Sequence, residues 1–153
     1  MEDRDKAVKE YGKLKDKYEL PELNNLEEEF EFELDDTSGI IKTITHRIWD
    51  KITLIKSFIE GVLHPQRYCC ITETGFLNPK SKEKIFNFYR LIMAEYWRTV
   101  KASFEDEEEK AKQLKKSYDF YQKVKRFSQN YTQKMIKGWE ETEETEEKNG
   151  YIN

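Results

Sequence analysis

"IIKTITHRIWDKITLIKSFIEGVLHP", residues 40–65, decides the fold class. Ile41, Ile44, Ile48, Ile52, Ile55, Ile59 and Val62 recur at intervals of three and four. That spacing puts all seven on one stripe of an α-helix about six turns long. Ile40, Trp49, Phe58 and Leu63 widen the stripe on both flanks, so this helix meets two neighbours and is the central element. Asp36-Thr37-Ser38 is its start signal and Pro65 its stop.

The same period governs the rest of the chain. Pro79 and Ser81 open a further helix whose stripe is Ile85, Phe88, Ile92, Tyr96 and Val100. "FEDEEEK", residues 104–110, breaks the period and marks a turn. Ala111, Leu114, Tyr118, Tyr121, Val124, Ser128, Tyr131, Met135 and Trp139 then outline a helix on the order of 30 residues long. Towards the N-terminus, Val8, Tyr11, Leu14 and Tyr18 give a helix over Asp3–Tyr18. Glu19–Asp36 holds nine acids and no base, and Phe30, Phe32 and Leu34 alternate with acidic residues, the period of an extended segment.

The expected architecture is all-α: an elongated bundle of three long helices, an N-terminal helix and an acidic extended strap. One helical domain should span residues 1–139, divided into the helix and strap (1–36) and a three-helix core (37–139). The acidic tail, residues 140–153, should be disordered, since its glutamates oppose the negative end of the helix dipole. The run "YGKLKDKYELPELNNLEEEFEFE", residues 11–33, together with the isoleucine-rich helix and a closing helical hairpin that ends at Trp139, resembles a family of small archaeal helical proteins. That family has no known activity, so the resemblance implies a fold and carries no site residue.

Composition excludes several classes of function. Lys42, His46, Arg47, Asp50, Lys51, Lys56 and Glu60 interrupt the most apolar stretch, so no membrane span is expected. The N-terminus is charged and the two cysteines are adjacent, which points to free thiols and a cytoplasmic protein. All six glycines are isolated, so there is no Gly-rich phosphate loop. Thr43 and Gly61 stand three residues before the two histidines, where a carboxylate-bridged metal bundle needs glutamates.

Two places remain as candidate sites. Residues 64–80, "HPQRYCCITETGFLNPK", hold His64, Cys69 and Cys70, all metal-ligand or nucleophile types. A structural zinc site takes four ligands, usually from spaced cysteine pairs, and neither condition is met. The expected role of this loop is therefore to cap the bundle end with Tyr68, Cys69, Ile71 and Phe76, with no cofactor or metal bound. The second place is a charge stripe. Lys110–Lys137 carries nine bases and one acid. On a helical projection Lys112, Lys115, Lys116, Lys123, Arg126, Lys134 and Lys137 share one side. Clustered bases gain affinity for phosphates by releasing counterions, and the acidic strap is expected to lie over such a basic face. These observations favour a non-catalytic adaptor or assembly module that binds a protein partner. The alternative is a nucleic-acid-binding accessory protein that uses the basic stripe. The sequence names no partner and no oligomeric state.

Overall fold

The computed structural model describes residues 2–149, with side chains as far as residue 142. Six helices follow in order: α1 Glu2–Tyr18, α2 Leu23–Phe30, α3 Ile40–Leu63, α4 Tyr68–Gly75, α5 Pro79–Ala102 and α6 Glu107–Asn149. There is no strand among the described residues, so the all-α class holds. No helix is long and apolar enough, among these residues, to cross a membrane.

The acidic strap is not simply extended. Leu23, Leu26 and Phe30 are spaced by three and four, and they form the buried face of α2. Only Phe32 and Leu34 keep the two-residue alternation, and both are buried. Glu31 ends α2 with φ 54°, and Glu19 follows α1 with the same left-handed φ. In each case the next residue bonds back across the last turn: Leu20 N–H to Lys15 O at 3.1 Å, Phe32 N–H to Glu27 O at 3.2 Å. This is a Schellman-type ending, in which glycine usually takes the left-handed position. The two glutamates hold that place while Leu20 and Phe32 turn inward.

Residues 64–80 hold a helix, α4, where a loop was expected. The tail also differs from expectation: α6 continues through Glu140 to Asn149. Glutamate is a good helix former, and a Lys137–Glu141 pair at 3.7 Å bridges the expected boundary. Residues 150–153 lie outside the described residues.

The chain divides into two compact units. The first comprises Met1–Leu54 and Ile92–Gln122, the second Ile55–Leu91 and Lys123–Asn153. In the first unit the core is built on Ile44, Ile48 and Ile52 of α3, all fully buried, with Tyr11, Leu26, Ile92 and Leu114. The Phe30 ring meets Tyr121 edge-on at 4.7 Å. In the second unit Ile59, Val62, Leu77, Ile85, Val124 and Tyr131 are buried. Phe88 and Phe127 stack there at 4.1 Å between ring centres.

Candidate functional site

His64, Cys69 and Cys70 fall in the second unit, at the end of α3 and on α4. The capping role expected for this segment is fulfilled only in part. Phe76 and Leu77 turn inward, but Tyr68 is 78% exposed, Ile71 56% exposed, and Cys69 is exposed as well. The reason is visible in how α4 is held. Thr74 Oγ1 donates to Val62 O at 2.7 Å. Trp139 Nε1 donates to Glu73 Oε1 at 3.1 Å, and the Phe76 ring stands edge-on to Trp139 at 5.5 Å. These anchors use the end of α4 and the residues after it, and they leave Tyr68 and Ile71 pointing away.

The two thiols are neighbours on α4. Their sulfurs are 3.9 Å apart. Partial burial, and then the neighbouring Cys69, push the Cys70 thiol above its ordinary value. A nucleophilic cysteine needs the opposite shift, towards the thiolate. No group of three or more His, Cys, Asp or Glu stands close enough to hold a metal ion, among the described residues.

The basic stripe is divided between the units. In the first, Lys112 pairs with Glu108 at 2.9 Å and Glu109 at 3.2 Å, and Lys115 reaches Glu19 at 3.4 Å. In the second, Lys134 Nζ donates to Ser81 Oγ at 3.3 Å, and Lys137 takes part in the pair with Glu141. Lys116, Lys123 and Arg126 are exposed and have no carboxylate within ion-pair distance among the described residues.

The acidic segment finds most of its cations elsewhere. Arg4 grips Glu27 with two hydrogen bonds of 3.1 Å. Lys15 meets Glu22 at 2.6 Å, and Lys51 meets Glu31 at 3.6 Å. Among the described residues, Lys115 is the one stripe residue in an ion pair with this segment. The bases that hold the segment are therefore chiefly on α1 and α3, close to it in sequence or packing.

A buried polar cluster in the first unit was not read from the sequence. Gln113 Nε2 donates to Glu95 Oε1 at 2.8 Å and to Thr99 Oγ1 at 3.3 Å. Trp49 Nε1 donates to Ser117 Oγ at 3.1 Å. Arg98 holds the other Glu95 oxygen at 2.8 Å. The available signal was spacing: Gln113 and Ser117 are four apart and flank Leu114 on the apolar side of α6. No protein-family model, curated protein or solved structure matches this chain.

Proposed function

We propose that the protein is a non-catalytic helical adaptor and that α4 is the element that meets its partner. The observation that carries this reading is that α4 has no buried residue although both chain neighbours and hydrogen bonds fix it in place. Tyr68 and Ile71 lie three residues apart and so project on one side of the helix. A large aromatic beside a branched aliphatic residue, on a short pre-ordered helix, suits insertion into an apolar groove of another protein. Ordering is already complete before contact, which lowers the entropic cost of binding.

The test compares the wild type with a Tyr68→Ser/Ile71→Ser variant in pull-downs from native lysate, with and without nuclease. Because both side chains are exposed, the thermal midpoint should be unchanged while specific partners are lost. Identical partner sets for the two proteins would refute the assignment of α4.

A second reading rests on Lys123 and Arg126 of the second unit, exposed bases of the stripe without carboxylate partners among the described residues. It makes the protein a nucleic-acid-binding accessory factor. Its signature is nuclease-sensitive retention and binding of random RNA that weakens steeply with salt.

A further inference from the structure

In the first unit, the start of α3, the end of α5 and the start of α6 enclose a cleft of about 540 Å³. Ile41 and Ala102 give it an apolar wall. Lys42, His46 and Lys110 stand around it, and none of the three has a carboxylate within ion-pair distance among the described residues. Other bases of the same unit do find acids: Arg98, Lys51, Lys112 and Lys115 are each paired. Lys116 of the same unit is also without a carboxylate among the described residues, so what sets Lys42, His46 and Lys110 apart is that all three line one cleft.

Gln113 supplies the third element. Its Nε2 faces the Glu95 carboxylate, which fixes the orientation of the amide. Its Oε1 accepts no hydrogen bond from the described residues. No buried side-chain polar atom lacks a partner among the described residues, so this oxygen is open to solvent, and the residue lines the cleft. Behind it the Glu95 charge is offset by Arg98, which lessens the repulsion an incoming anion would meet.

We propose that this cleft binds a small amphipathic organic anion that carries a hydrogen-bond donor. The acid group sits among Lys42, His46 and Lys110, the apolar body rests on Ile41 and Ala102, and the donor bonds to Gln113 Oε1. Each part answers a feature that is otherwise unmatched, as in small-molecule sites where a few polar groups orient a mostly apolar ligand. The proposal is independent of the α4 surface, which belongs to the other unit.

Anilinonaphthalene sulfonate has all three parts: a sulfonate, an aromatic body and one N–H. N-phenylnaphthylamine lacks only the sulfonate. Titration of the full chain, followed by fluorescence and calorimetry, should show one saturable site for the sulfonate and weaker binding of the neutral compound. Lys42→Glu/Lys110→Glu should weaken sulfonate binding at least about tenfold, as attraction becomes repulsion in a partly desolvated site. Lys9→Glu/Lys13→Glu alters net charge equally, at exposed positions outside the cleft, and should bind as the wild type does. Backbone amide shifts on titration should concentrate at Thr45, His46, Ala102 and Ser103, a readout that needs no variant. The proposal is overturned if binding is not saturable, if both charge-reversed proteins lose it equally, or if the shifts fall elsewhere.

Discussion

A methyl group at Gly138 would overlap Cδ2 and Cγ of the Phe76 ring. No side chain fits there while the ring keeps its place against Trp139. Alanine normally stabilises a helix interior by about 1 kcal/mol relative to glycine. Here overpacking should reverse the sign, and Gly138→Ala should destabilise by about 1–3 kcal/mol. Adding Phe76→Leu should recover part of that loss. A Gly138→Ala protein that melts at or above the wild-type midpoint would show that the ring swings aside freely.

Gly12 is the internal control for that argument. It lies within α1, and a Cβ built there meets nothing within 4 Å. Gly12→Ala should therefore stabilise by about 0.5–1 kcal/mol, through the lost freedom of the unfolded chain. Chemical denaturation resolves this as a higher midpoint at unchanged slope. A lower midpoint would mean that α1 packs differently from the structure described.

Ile52 is fully buried on α3. Ile52→Asp places a carboxylate in an apolar core with no cation arranged to meet it. The expected loss exceeds about 4 kcal/mol, enough to unfold a chain of ordinary stability. A midpoint within a few degrees of the wild type would contradict the core position of α3.

Alkaline pH should reveal the buried phenols. Burial first, then Glu73 and Cys70, push the Tyr131 phenol from 10.0 up to about 12. Burial also raises Tyr11, with Glu22 adding to it. A raised folded value means that the native state holds the proton more tightly. The contribution is complete below pH 10 and is lost as pH rises towards about 12 at Tyr131, to a total of about 3 kcal/mol. Tyr131→Phe should make the decline between pH 10 and 12 shallower and change little at pH 7. Tyr11 Oη donates to Pro21 O at 2.6 Å, so Tyr11→Phe should also cost about 1 kcal/mol at neutral pH. Parallel pH–stability curves for wild type and Tyr131→Phe would rule this mechanism out.

The long helices were legible because a single period runs through each of them. Ile41–Val62 declares its own buried face, and Ile52 lies where that stripe puts it. The short helices were hidden by conflicting cues. In "EEEFEFELDD", residues 27–36, two periods overlap: Phe30 closes the helical spacing of α2, and Phe32 with Leu34 opens an alternating one. The junction would be plain with glycine at residue 31, but Glu31 adopts the left-handed turn instead. In α4 the apolar spacing is a single pair, Tyr68 and Ile71, too short to declare a helix, and neither residue is buried. The cleft escaped notice for another reason. Lys42, His46 and Lys110 are ordinary in sequence and become a group only when α3, α5 and α6 converge.

The acidic segment gives the last prediction, in which its anchors and its charges make separable contributions. Glu27 Oε1 accepts from Leu34 N–H at 2.8 Å while both carboxylate oxygens hold Arg4. Glu27→Ala would leave a buried N–H without its acceptor and should cost about 1–3 kcal/mol. Glu27→Gln keeps an oxygen for that N–H and loses the ion pair, so it should cost less, and the difference from wild type should shrink with salt. Phe32→Ala removes a nearly buried ring and should cost about 3–5 kcal/mol, more than either change at Glu27 and without salt dependence. Removing Met1–Asp36 altogether deletes Ala7, Tyr11, Leu20, Leu23, Leu26, Phe30, Phe32 and Leu34 from the core. The expected result is loss of cooperative unfolding rather than a folded protein with an uncovered basic face. Cooperative melting of the truncated chain, joined to new salt-sensitive RNA binding, would instead make the segment a removable cover.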